Sequence, residues 1–365
     1  MIEIKRYFSK PKLIGNVKIK LPGIHYPHFL VNNKQFYSKY YAMKECVETG
    51  VEWPTFKVLP NENSYHRPKI NFHESCIKEC QIISDTSKKV RLWYSGGRDS
   101  HHILVHLLKT KSKLDEICAY RRFPAVIDSG TNELDRFDVI EILKKTLNSY
   151  NKKVKIIIYD VLPEHFAHWS DNLETQYFPY TVNSITGHTL HPLAEIYPEI
   201  MDLDYVNIIG NTPPCTIGNK FYWMDINFNS AFNDPNVCHF FCDSRNMDLI
   251  LNQAYQLYDQ KSNSQELLKE NLNFYSNNSP LDNKNKGLVS CSLFASEKSK
   301  DWVWDIKDMY LHLNFVKTEQ GINTLKKFLS FYNSIETKYR KFFDNGSIYH
   351  YWTGAISEKH TLLDT

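Results

Sequence analysis

Between residues 88 and 245, short apolar runs alternate with amphipathic segments of helical period, and this alternation predicts a parallel sheet covered by helices. Residues 89–94 read as a first strand. Residues 99–108 then place Ile103, Leu104, Leu107 and Leu108 on one helical face, with His101, His102 and His106 distributed around the other sides. Residues 116–120 form a second strand. Residues 132–148, carrying Leu134, Phe137, Ile140, Ile142, Leu143 and Leu147, form an amphipathic helix, and 154–161 is the clearest buried strand in the chain. After a polar, aromatic crossover, 205–209 supplies another short strand that ends at Gly210. The order is β-α-β-α-β, with a further strand after a longer connection.

The flanking segments read differently. Residues 1–85 mix short β-prone runs, such as 17–21, with aromatic and proline-rich pieces at Pro22, Pro27, Pro54, Pro60 and Pro68, as expected of an N-terminal extension or small domain. Asn, Ser, Lys and Gln dominate 259–287, which fits a connection or an exposed helical hairpin. Beyond it, Ile322, Leu325, Phe328, Leu329, Tyr332, Ile335, Tyr339 and Phe342 recur at steps of three and four, the pattern of a long amphipathic helix. The expected organisation is therefore 1–85, an α/β unit over 86–245, and a mostly helical region over 246–365.

The chain has 365 residues, 44 basic against 41 acidic, for a net charge of +3, so general affinity for polyanions is not expected. A nucleic-acid partner remains open but is not indicated by charge. No stretch approaches the roughly 18 apolar residues that a membrane span needs, and the first twenty residues carry Lys5, Arg6, Lys10, Lys12, Lys18 and Lys20. None of the 8 cysteines forms a C-x-x-C pair; the nearest are Cys76/Cys80 and Cys238/Cys242, at helical i,i+4 spacing. A cytoplasmic location with reduced thiols is the expectation, and no membrane partner is expected.

Glycine is scarce, at 13 residues, so the adjacent pair Gly96-Gly97 needs a local reason. It lies in Tyr94-Ser95-Gly96-Gly97-Arg98-Asp99-Ser100, where a strand ends, a turn follows and a helix begins at once. Glycines let a backbone take positive φ and approach a ligand closely, and the first turn of a helix offers unpaired N–H groups and a partial positive charge. Together these make a cradle for phosphate. Ser95 and Ser100 add hydroxyl donors. Asp99 suits two jobs, as an acid that complements the helix dipole and as a carboxylate beside Mg²⁺. The plain alternative is a helix cap and tight turn that holds no ligand. Against it, S-G-G-x-D-S arises by chance only about once in a few thousand chains of this length.

This segment resembles the PP-loop of the N-type ATP pyrophosphatases, the adenine nucleotide alpha hydrolase-like superfamily that includes asparagine synthetase, NAD synthetase and tRNA lysidine synthetase. The resemblance covers roughly 88–245 and is specific in the loop. It is not a Walker A loop, since G-x-x-x-x-G-K-[ST] does not occur. The resemblance implies an α/β fold with a central parallel sheet of the HUP type, and implies that Ser95, Gly96, Gly97, Asp99 and Ser100 hold the β- and γ-phosphates of ATP with Mg²⁺ at Asp99. Tyr94 and Tyr120, at strand ends, and Gly210 join them as implied cofactor-binding positions, the region of Tyr120 contacting adenine largely through backbone. On side-chain chemistry, Arg98 is a candidate to neutralise phosphate charge, which makes it the catalytic candidate beside Asp99, and Arg121 and Arg122 are weaker candidates for the same work.

No one member matches throughout. The chain begins Met1-Ile2-Glu3, where glutamine-dependent asparagine synthetase exposes a cysteine, and about 85 residues leave no visible glutaminase. The zinc-binding C-x-x-C of deazaguanine synthase and the C-terminal cysteine of sulfonucleotide reductases are unmatched, Cys291 being the last cysteine. A second segment, Asn207-Ile208-Ile209-Gly210-Asn211-Thr212-Pro213-Pro214, falls at a strand end where open parallel sheets place ligands, or is a proline-stiffened turn. Asp128 and Asp225 are candidate acids. Lys220, Lys317 and Lys326 read as surface lysines rather than a catalytic one. His188-x-x-His191 and Cys238-His239-x-x-Cys242 have the residue types of zinc ligands without a second pair at familiar spacing. The expected activity is adenylation of a small-molecule or nucleotide acceptor, with amine or ammonia then displacing AMP. The alternatives are ATP-dependent sulfur transfer or base modification using Cys118, Cys215, Cys238 or Cys242, and a nucleotide-binding module without catalysis.

Overall fold

The computed structural model describes residues 2–5, 24–37, 39–52, 54–60, 64–96, 98–122, 139–161, 193, 196–210, 214–223, 236–262 and 357–363. In chain order, β1 (Ile2–Lys5) is followed by a hairpin of β2 (His28–Val31) and β3 (Lys34–Phe36), then α1 (Lys39–Thr49), β4 (Thr55–Lys57) and β5 (Ser64–Tyr65). Next come α2 (Phe72–Ser84), β6 (Lys89–Trp93), α3 (Arg98–Lys109), β7 (Glu116–Arg122), α4 (Val139–Ser149) and β8 (Lys155–Val161). The described chain closes with β9 (Tyr205–Ile209), β10 (Cys215–Ile217), β11 (Lys220–Tyr222), β12 (Val237–His239), α5 (Met247–Ser262) and β13 (His360–Leu362).

β1, β8, β7, β6, β9 and β12 lie side by side in that order in one six-stranded sheet, and every neighbouring pair is parallel. This is the expected α/β fold with a central parallel sheet. Counting from β6, the strands run third, second, first, fourth, fifth, so the chain reverses its direction of travel across the sheet between β6 and β9. At such a switch point the connections leave to opposite sides and open a crevice beyond the carboxyl ends of the strands.

The strands are apolar on both faces because both faces are covered. Val90, Leu92, Ile117, Ala119, Ile156, Ile158, Val206 and Ile208 turn one way, into a core with Ile103, Leu104 and Leu107 of α3 and with Val139, Leu143 and Leu147 of α4. Trp93, Cys118, Ile157, Tyr159 and Ile209 turn the other way, toward Phe29, Phe56, Tyr197, Trp223 and Tyr255. That second core is built from distant parts of the chain: the antiparallel sheet β3-β2-β4, and a four-stranded sheet in the order β10-β11-β13-β5. Ser357 ties the far end of the chain in by donating from its N to the Trp223 carbonyl at 2.7 Å and accepting the Trp223 N–H at 2.8 Å.

Local chemistry accounts for several boundaries. Asn71 caps α2 through a reciprocal box, its Oδ1 accepting from the Glu74 N–H at 2.9 Å while Glu74 Oε2 accepts from the Asn71 N–H at 2.8 Å. The β2–β3 hairpin turns on Asn32 and Asn33, both at positive φ (47° and 66°), as a two-residue turn matching strand twist requires. The first strand ends one residue earlier than the sequence predicts and the second runs two residues longer. Helix α4 is described only from Val139, so the expected turns over 132–138, the run at 17–21 and the long helix over 322–342 lie outside the described residues. His101, His102 and His106, on the other sides of α3, are also buried, because α2 packs over α3 and Phe241 closes on His102. Cys238 and Cys242 do not share a helix: Cys238 lies in β12 and Cys242 in a short 3-10 helix.

Candidate functional site

Strand β6 delivers the chain to the switch point, and residues 94–96 lead from it toward α3. Gly96 has φ +85°, a region L side chains rarely adopt, and a Cβ built on it would stand 2.9 Å from Val139 Cγ1 at the start of α4. Glycine is therefore required there twice, for its backbone angle and for the approach of α4. Ser95 is exposed, and its Oγ lies 3.2 Å from the Oγ of buried Ser100. Asp99 is half-buried in the first turn of α3, where the helix N–H groups and dipole favour an anion.

Gly210 follows β9 on the neighbouring side of the crevice. A Cβ at this position would lie 3.2 Å from Asp99 Cβ, 3.4 Å from Ile103 Cδ1 and 3.5 Å from the Ser100 N. Two segments more than 100 residues apart in sequence thus meet at the first turn of one helix. Ser95, Gly96, Asp99, Ser100 and Gly210, named from sequence, come together at this point.

Tyr94 does something else. Its ring is buried at 1% exposure, its hydroxyl is 2.9 Å from His101 Nδ1, and its N–H donates to the Cys118 carbonyl at 2.7 Å, so the side chain belongs to the core beneath the loop. Tyr120 is half-buried near the carboxyl end of β7. Arg98 opens α3, and Arg121 and Arg122 close β7. Their side chains lie outside the described residues, as do Gly97, Asn211, Thr212, Pro213, Asp128, Asp225, His188, His191, Lys317, Lys326 and the Cys215 side chain. Lys220 is exposed on β11. Asn207 is buried, and its Oδ1 accepts from Trp93 Nε1 at 3.0 Å, fastening β9 to β6.

Away from the crevice, Cys238, His239 and Cys242 are buried but separate in their contacts. The Cys238 thiol donates to Asp243 Oδ2 at 3.4 Å and contacts Glu79 Oε1 at 3.7 Å, while Asn246 Nδ2 donates to Glu79 Oε2 at 3.1 Å. Arg245 pairs with Asp243, Nη2 to Oδ2 at 2.5 Å. Burial, and then the neighbouring Asp243 charge, push Glu79 well above the usual carboxylate range. Desolvation also pushes Cys118 up to about 12 and Cys238 well above the ordinary thiol value. Neither is a thiolate near neutrality.

Sequence reasoning missed a cluster formed by His73, Cys76, His102 and His106. The signal was present: His73 and Cys76 are three apart on α2, and His102 and His106 four apart on α3. Their convergence required the packing of one helix on the other.

The fold and the loop define an α/β protein with an anion-suited helix start at its topological switch point. Among solved structures, the chain is similar to NMN synthetase from Francisella tularensis, at 15% identity over 38% of this chain and 54% of that one, with a TM-score of 0.27. It is also similar to the NH3-dependent NAD synthetase of Campylobacter jejuni subsp. jejuni in complex with the nitrate ion, at 12% identity over 66% of this chain and 96% of that one, with a TM-score of 0.26. The chain thus spans about half the length of the first of these proteins. At such scores neither likeness carries weight for what this chain does. No protein-family model and no curated protein matches the sequence.

Proposed function

We propose that this protein is an AMP- and pyrophosphate-forming enzyme of the ATP pyrophosphatase type, which adenylates an oxygen of a carboxylate or carbonyl on a small-molecule or nucleotide acceptor. The observation that carries this reading is the S-G-G-x-D-S turn at the carboxyl end of β6, placed at the switch point and backed by Gly210. The helix N–H groups of α3 and the hydroxyls of Ser95 and Ser100 bind the β- and γ-phosphates, and Arg98 opens the same helix. Asp99 would hold the Mg²⁺ that accompanies these phosphates, and the ion would supply charge neutralisation for the departing pyrophosphate.

The acceptor oxygen forms a bond to the α-phosphorus as the bond to the β-phosphate oxygen breaks. Amine or ammonia then forms a C–N bond, AMP leaves with the oxygen, and the surplus proton passes to solvent. The loop's contribution is greatest where negative charge accumulates on the leaving pyrophosphate.

Sulfur transfer is the weaker reading, because the buried thiols of Cys118 and Cys238 lack the exposed, electropositive setting that a nucleophilic cysteine needs. The test is a thermal-shift and pyrophosphate-release assay with MgATP against a panel of carboxylate and nucleotide acceptors, with mass spectrometry of AMP-linked products. Acceptor-dependent release of pyrophosphate is the expected result. Binding of ATP without release in any mixture would leave a nucleotide-binding module in its place.

A further inference from the structure

We propose that Cys76, His102 and His106 bind one zinc-class transition-metal ion between α2 and α3, with His73 at the open side. All three side chains are buried, and one ligand atom from each lies within 4.8 Å of the others. The Cys76 Sγ to His102 Nε2 distance is 3.7 Å. In a tetrahedral site with Zn–S of about 2.3 Å and Zn–N of about 2.0–2.1 Å, adjacent sulfur and nitrogen ligands stand about 3.5 Å apart, so this edge is already near bound length.

The tautomer of His106 is set for ligation. Its Nδ1 is 2.9 Å from the His102 carbonyl, which can only accept, so Nδ1 carries the proton and Nε2 presents its lone pair. A metal-binding histidine is commonly oriented by such a bond from its other nitrogen. That lone pair accepts the N–H of His73 Nδ1 at 2.8 Å, a bond that an incoming ion would replace, and His73 is exposed at the mouth of the cluster. His73 therefore occupies the side from which a fourth ligand, itself or water, reaches the ion.

The surroundings favour a largely dehydrated ion held by two imidazoles and one thiolate. Phe72 stacks on His102 at 5.5 Å, Phe241 closes from 6.2 Å, and a pocket of about 760 Å³ lined by His73, His102, His106 and Lys109 gives access. Binding would expel the Cys76 thiol proton to solvent and leave a thiolate on the metal. The second cluster, Glu79 with Cys238 and Asp243, lacks this character because Arg245 already answers its charge.

The test uses the full chain, reduced and stripped with chelator, titrated with Co²⁺ and then Zn²⁺. One equivalent of Co²⁺ should give tetrahedral ligand-field bands with a thiolate charge-transfer band, and Zn²⁺ should abolish both. Cys76→Ser should remove the charge-transfer band, His106→Gln should weaken binding by at least about 10-fold, and Cys238→Ser should leave the spectrum unchanged. A wild-type spectrum with no charge-transfer band, or a band that disappears with Cys238→Ser and survives Cys76→Ser, overturns the site. Should Cys76→Ser fail to fold, mass-spectrometric mapping of alkylation in the wild type decides instead: Zn²⁺ must protect Cys76 selectively, and equal labelling with and without it counts against the proposal.

Discussion

Gly210 packs against Asp99 across the switch point, so close that a Cβ on the glycine would stand 3.2 Å from the Cβ of the aspartate. The end of β9 therefore sets the position of the first turn of α3. Gly210→Ala should displace that turn by a few tenths of an ångström. The expected result is a loss of ATP affinity of about 10-fold, or about 1.4 kcal/mol, with a smaller change in folding stability. Calorimetric titration beside urea denaturation separates the two effects.

Asp99→Ala removes a half-buried carboxylate at a helix start and no core volume. Folding should change by no more than about 1 kcal/mol, the usual worth of an acid at that place. Pyrophosphate release with MgATP should fall by about 100-fold or more, the scale of losing one charge-organising group. Unchanged turnover in a folded variant removes Asp99 from the reaction.

Gly96→Ala tests the turn itself. A side chain at φ +85° costs about 1–2 kcal/mol, and the 2.9 Å approach to Val139 Cγ1 adds a packing clash of about 1–3 kcal/mol. Val139→Ala in the same chain should relieve the clash and leave the backbone term. A double-mutant cycle by chemical denaturation should show that coupling; strictly additive losses would mean that α4 does not rest on the loop.

Arg91 and Glu116 face each other on β6 and β7, with Nη2 and Oε2 3.0 Å apart and Arg91 at 2% exposure. The guanidinium also donates to the Ile200 carbonyl at 3.2 Å and lies 4.1 Å over the Tyr205 ring. Glu116→Gln should destabilise by about 3–5 kcal/mol, since it strands a buried cation. The urea midpoint is the measurement.

Glu79 and His239 give stability opposite dependences on pH. Burial raises Glu79, so its contribution is complete below the unfolded value of about 4.3 and is lost as pH rises through its higher folded value. Burial lowers His239 to about 4, so its contribution is present above about 6.5 and is lost as pH falls toward 4. Each costs about 1.4 kcal/mol per pH unit inside its window. Glu79→Gln should flatten the fall in unfolding free energy toward high pH and leave the acid side unchanged.

Elements whose residues act locally were legible in the sequence. The strand over 205–209 has the bounds read from its apolar run, and α3 differs by one residue at each end. The hairpin at Asn32-Asn33 was legible in principle, since tandem positive φ favours asparagine, yet the flanking strands are too short for periodicity to raise them. The β13 strand was not legible at all, since three residues far along the chain acquire a strand only by pairing with β5 and β11.

The S-G-G-x-D-S turn, the strand before it and the helix after it could be read from one stretch of sequence, because backbone angle, capping and amphipathic period depend on neighbours within a few positions. That Gly210 abuts Asp99, that Tyr94 is buried with its hydroxyl on His101, and that Cys76 meets His102 and His106 came only with tertiary structure. Those contacts join residues separated by loops and whole strands, and they arise from the burial of both sheet faces, which no local pattern encodes.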